Sequence, residues 1–188
     1  MTRSLRSVLL CLAALVALGA AGCGNKEDST NVGGTEGIYV TVDDLKYQIQ
    51  ISRILNPADR EDQTYLIGLP AGEEPAQDEV WFGIFMRVEN DTSRERPAAE
   101  DFKIVDTQGQ EFEPVEVDTS VNAFDYEPRP IPAGQLLPQI GSAASDNTIQ
   151  GALILFKVKT GSLYNRPLEF EILSRSGHAE DATIDLDV

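Results

Sequence analysis

The chain is poor in the residues that most chemistry needs. Its 188 residues hold one histidine, two cysteines and one tryptophan. Such a set cannot furnish the nitrogen and sulfur ligands of a usual zinc centre. Positive charge is also scarce, at 15 Lys+Arg against 31 Asp+Glu, a formal −16. A nucleic-acid surface needs clustered basic side chains to displace phosphate counterions, so that class of partner is excluded. The motifs G-x-S-x-G, S-x-x-K and H-E-x-x-H are all missing, and with them the common hydrolase signatures. Beyond the N-terminus no window repeats every 3.6 residues, and no heptads or internal repeats occur. What remains is a chain 41% hydrophobic and 24% charged, enough to bury a sizeable core in one domain. No cofactor is indicated, and the expectation is a protein that is not an enzyme.

The only long apolar run stands at the beginning. Arg3 and Arg6 precede an uncharged stretch of 14 residues, Val8 to Ala21. A membrane-spanning helix needs about 20, so this is the pattern of a signal peptide. The residues Ala20-Ala21-Gly22-Cys23 resemble the bacterial lipobox, with Ala20 where leucine is commonest. That resemblance implies cleavage after residue 22 and attachment of diacylglycerol to the Cys23 sulfur. The implied location is the extracytoplasmic side of a cell membrane, with the lipid as anchor. Cleavage removes Arg3, Arg6 and Cys11 but no acid, leaving 13 basic residues against 31 acidic ones, a formal −18. The domain then has no disulfide and relies on packing alone. Residues 23–37 carry a single large apolar side chain, Val32, among Gly, Ser, Thr, Asn and charges. They predict a flexible tether spanning on the order of 20 Å.

From residue 38 to 188 the dominant period is two. Ile38, Val40 and Val42 alternate with polar neighbours, as do Tyr47, Ile49 and Ile51. Val80, Phe82, Ile84, Met86 and Val88 form one face of the longest strand, with Trp81, Gly83, Phe85 and Arg87 on the other. This alternation sends one face to a core and leaves the other at least partly wet. Further strands are expected at 102–105, 111–117, 148–158, 168–173 and 183–187, with one helical turn at 97–101. The sum is an all-β, immunoglobulin-like antiparallel sandwich of seven to eight strands, with a closed barrel as the competing architecture.

Two long insertions interrupt it, Leu55–Asp78 and Asp118–Asn147. Each suits either edge cover or binding. Tyr65, Phe124 and Tyr126 are the candidate contact residues, because aromatics dominate interface energies; the alternative is that they cap the sandwich ends. Asp59, Glu61 and Asp62, together with the acids between Glu73 and Glu79, are the only suggestion of a calcium cage. Counted as a twelve-residue EF-hand loop from Asp59, however, positions 6 and 12 hold Thr64 and Pro70 in place of Gly and Glu.

Several segments together resemble a bacterial family of telokin-like, immunoglobulin-like domains. They are Phe85–Asn90, Phe102–Phe112 with its Asp106-x-x-Gly109 turn, Ile131-Pro132-Ala133-Gly134, Gln150–Phe156 and Leu168–Ile172. The likeness covers about residues 38–173, and departs from the family in the wide spacing between Gly134 and Gly151. It implies a secreted protein or lipoprotein of the Gram-positive kind, with no assigned activity. The reading that follows is an anchored binding module for an envelope protein or small ligand. A structural envelope protein without a ligand and a calcium-dependent module are the alternatives.

Overall fold

The computed structural model describes residues 31–178 and 181–186. The signal peptide, Cys23 and the first part of the tether lie outside the described residues. Strands β1 (Asn31–Thr35), β2 (Tyr39–Val42), β3 (Leu45–Leu55) and β4 (Glu79–Glu89) are followed by the short β5 (Arg96–Pro97). Next come β6 (Phe102–Val105), β7 (Glu111–Phe112), β8 (Pro130–Ile131), β9 (Leu136–Leu137), β10 (Ala152–Lys159), β11 (Leu168–Ile172) and β12 (Ala182–Leu186). One sheet runs β1-β12-β11-β6-β7, the other β10-β4-β3-β2 with β9 also on β4, and β5-β8 form a small ribbon. The chain is an all-β sandwich.

The inward residues of both sheets make the main core, including Tyr47, Ile49, Phe82, Ile84, Met86, Phe156 and Phe170. Burying one such side chain contributes about 1.5–3 kcal/mol. Turn chemistry matches the sequence. Gly109 has φ 78°, and the Asp106 carboxylate accepts the Gln108 and Gln110 amides at 2.9 Å each. Burial pushes that carboxyl up, but hydrogen bonds from Asn165, the Gln110 amide, Ser162 and the Gln108 amide outweigh it and hold it at about 2. Asn90 is buried, its amide donating to the Arg94 and Ile131 carbonyls.

Four expectations are corrected. Residues 31–35, assigned to the tether, form β1, which pairs in parallel with β12. The strands number twelve among the described residues rather than seven or eight, since β5, β7, β8 and β9 are pairs of residues too short to show a period. Residues 96–97 are strand, and Ala98 and Ala99 are buried; helical turns occur instead at Asp62–Tyr65 and Ala143–Asp146, inside the insertions, and a 3-10 turn at Ser162–Tyr164. Finally, Ile51 does not share a face with Ile49. Ile49 pairs with Met86 and Ile51 with Phe85, leaving Gln50 as a bulge. The extra residue turns Ile51 outward and Ser52 inward.

The outer face of β4 is not wet over its length. Trp81 and Phe85, with Leu55, Leu153 and Leu155, make a second buried cluster that includes Tyr65 and packs against Leu66, Leu69, Val115, Val117, Phe124 and Ile149. All of the latter come from the two insertions and their flanks, which form a third layer over this sheet. The second insertion and the segment leading into it also cover an edge: the Val115 amide donates to the Leu155 carbonyl at 2.7 Å, and that of Tyr126 to Leu153 at 2.8 Å. These bonds occupy the side of β10 away from β4.

Candidate binding groove

The first insertion is organised around its acids. The Asp59 carboxylate accepts the Glu61 and Asp62 amides at 2.8 and 3.2 Å, an Asx-type turn that starts the helical turn. Asp62 points inward, 1% exposed. It receives Arg53 Nη2 at 2.6 Å and the Asn56 amide at 2.8 Å, so a partnered charge is what permits its burial. Asp59 and Asp62 are thereby engaged in holding the loop. Among the described residues no three His, Cys, Asp or Glu side chains are grouped to hold a metal ion. The calcium cage suggested by Asp59, Glu61 and Asp62 is not assembled there, since the Asp59 carboxylate holds loop amides and that of Asp62 is turned inward to Arg53.

Tyr65 is fully buried, its ring centroid 4.9 Å from those of both Phe85 and Phe124 in edge-on packing. Tyr126 is buried as well; its hydroxyl donates to the Ala99 carbonyl at 2.9 Å and its ring stands edge-on to Phe102. Neither is a surface contact residue, which corrects that expectation: both rings have more apolar area to bury against the sheet than to offer to solvent. Phe124 alone of the three is half-buried. Asn122, which no sequence signal singles out, ties the insertions together. Its amide donates to the Tyr65 and Ile67 carbonyls at 3.0 and 2.9 Å, and its oxygen accepts the Phe124 amide at 2.9 Å.

Where the insertions meet, Glu61, Thr64, Phe124, Ala143, Asp146 and Asn147 line an open groove of about 430 Å³. Both walls are braced. Asn147 Nδ2 donates to the Tyr65 hydroxyl oxygen at 3.1 Å, and Ser142 caps the Ala143–Asp146 turn through the Ser145 amide. Burial raises the Tyr65 hydroxyl above its ordinary value, with the Glu61 charge adding to it. The Glu61 carboxylate itself makes no hydrogen bond or ion pair among the described residues. That of Asp146 accepts only from Ser145 Oγ, at 2.7 Å. A second feature lies further along: Asp125 lines a cleft of about 420 Å³ with Phe102, Tyr126 and Leu153–Leu155. Burial pushes its carboxyl up to about 7, and the neighbouring Glu127 charge adds to the effect.

No family model matches the chain, and no curated protein matches it. The fold is similar to that of the yjhA protein from Bacillus subtilis, at TM-score 0.53 and 12% identity, covering 82% of this chain and 99% of that one. The Bacillus subtilis protein ycdA, thought to be a lipoprotein, gives TM-score 0.49 and 11% identity over 79% of this chain and 38% of that one. An uncharacterized β-sandwich protein from Clostridium difficile 630 gives 0.46 and 11% over 87% and 100%. At these identities the likeness concerns the fold alone.

Proposed function

We propose that the chain is an extracytoplasmic lipoprotein of the telokin-like, immunoglobulin-like kind, a non-enzymatic interaction module moored to a bacterial membrane by acyl chains on Cys23. The observation that carries this reading is the order Arg3, Arg6, a 14-residue apolar run and Ala20-Ala21-Gly22-Cys23, directly ahead of a folded sandwich. Among the described residues no helix is long and apolar enough to cross a membrane. Residues 24–30 separate the anchor from β1, a reach of at most about 25 Å. β1 begins at Asn31 opposite Ala182, itself opposite Ile172. The Asp43-Asp44 hairpin lies at this same end, where the Asp43 carboxylate receives Ser174 Oγ and the Arg175 amide. That end faces the bilayer, and the formal −18 keeps it off anionic headgroups.

Fractionation of cells tests the anchor. The native protein sediments with membranes and is released only by detergent; Cys23→Ser moves it to the soluble or secreted fraction. A Cys23→Ser protein that stays as firmly in the membrane fraction overturns the reading.

A further inference from the structure

We infer that the cleft lined by Asp125 is a binding site for a small organic amine, an apolar body carrying one protonated nitrogen; this rests on the reading of the domain as an interaction module and names the class of ligand. Two loop segments meet the edge of β10, Pro114 opposite Phe156 and Asp125 opposite Leu153, and both line the cleft. Its walls are apolar: Phe102 and Tyr126, themselves buried, with Pro114, Val117 and Leu153. The space measures about 420 Å³. Small-molecule sites hold roughly 300–1,000 Å³ and set a few polar groups in such walls.

Charge selects the ligand. Among the described residues the ionisable lining is Glu100, Glu116, Asp125 and the Tyr126 phenol, with no Lys, Arg or His. Arg175 already holds Glu100, Tyr126 donates to Ala99, and Glu116 is exposed. Asp125 differs: it is part-buried, and no side chain donates to its carboxylate. The backbone donor beside it, the Tyr126 amide, is committed to the Leu153 carbonyl at 2.8 Å. Arg129, in a neighbouring hollow, forms no ion pair with it. Burial without a counter-charge pushes this carboxyl up to about 7. An ammonium seated against it supplies the missing charge while the apolar body covers the walls. Anions meet only acids here, and a divalent metal ion needs more oxygens than one carboxylate offers. A wholly apolar ligand would strip water from the carboxyl and leave it no partner. A partner protein's lysine brings only a four-carbon stem, too little to cover these walls.

The test uses the full lipidated protein in nonionic detergent at about pH 8, where Asp125 is mostly ionised, and titration calorimetry read against detergent alone. Naphthylmethylamine, naphthalenemethanol and naphthoate share one ring system and differ in charge. The amine should bind about tenfold or more tighter than the alcohol, and the carboxylate weakest of the three. Asp125→Asn should bring the amine to within about threefold of the alcohol. Glu95→Gln removes an exposed acid outside the cleft and should change amine binding less than about twofold. The lysine derivative with its α-amine acetylated and its carboxyl amidated should bind about tenfold or more weaker than naphthylmethylamine. Unchanged circular dichroism checks that Asp125→Asn folds, and the ratio of amine to alcohol on the native protein stands without that variant. An amine no tighter than the alcohol, or a preference that survives Asp125→Asn, overturns the inference. So does equal weakening by Glu95→Gln, the lysine derivative binding as tightly, or no saturable binding beyond detergent alone. None of these outcomes depends on where the protein resides, so they leave the fractionation result to decide the anchor separately.

Discussion

Raising the pH should weaken the fold through one side chain, Asp125. Its carboxyl is carried from an ordinary 3.8 to about 7, first by burial in the cleft beside Tyr126 and Leu153–Leu155, then by the Glu127 charge. The folded state therefore holds a proton there that the unfolded chain has already released. With more protons bound to the native state, stability falls as pH climbs from about 4 through about 7. For a fully buried group that displacement corresponds to about 4 kcal/mol. Asp125 is only part-buried, and solvent screening reduces the effect to about 1–2 kcal/mol. Urea unfolding followed by the fluorescence of Trp81, the sole and buried tryptophan, reads it directly. Between about pH 5 and about pH 8.5 the native protein should lose about 1–2 kcal/mol more than Asp125→Asn. The general repulsion of an acidic chain affects both proteins alike and cancels in the comparison. Parallel pH profiles for the two would refute the reasoning.

Tyr65→Ala should lower unfolding free energy by about 3–5 kcal/mol, because it empties the centre of the outer cluster and strands Asn147; denaturant titration checks this, and a loss below about 1 kcal/mol would return Tyr65 to the surface. Gly151→Ala should cost about 2–4 kcal/mol. Gly151 has φ 120°, and a Cβ there would lie 2.8 Å from the Met86 nitrogen and the Phe85 carbonyl carbon, both backbone atoms. Thermal midpoints of Gly151→Ala beside Gly72→Ala, whose added Cβ meets nothing within 4 Å, separate crowding from conformational strain. Asp62→Ala should cost about 2–3 kcal/mol and raise protease cutting in residues 56–66, since the Asn56 amide and Arg53 lose their acceptor.

Period-two patterning made the sandwich legible before any coordinates, because Val80–Val88 and Ala152–Val158 alternate as strands that feed one core must. The Asp106-x-x-Gly109 turn and Asn90 were equally legible, each side chain having a local backbone group to satisfy. Local pattern cannot reveal what covers a face. Trp81 and Phe85 read as the wetter side of β4, yet the insertions bury them. The Gln50 bulge was hidden for a related reason: Tyr47, Ile49 and Ile51 keep perfect alternation, and only pairing with β4 shows the register slip. β1 is glycine-bearing and polar, so its composition reads as linker; its place comes from hydrogen bonding to β12, a contact about 150 residues distant along the chain. In the groove, Phe124 and Glu61 were marked by type, but Asp146 and Asn147, and the buried Asn122 beneath the junction, acquire meaning only where the insertions meet. The start of the first helical turn did carry a signal, Asp59 followed by Glu61 and Asp62, the acid-rich pattern of a helix beginning.

The mass of the native N-terminus probes the whole account most directly. Protein extracted from its own cell envelope should yield, after proteolysis, an N-terminal peptide starting at Cys23 and heavier by a thioether-linked diacylglycerol. An N-terminal peptide starting elsewhere, or Cys23 recovered as a free thiol, would contradict it.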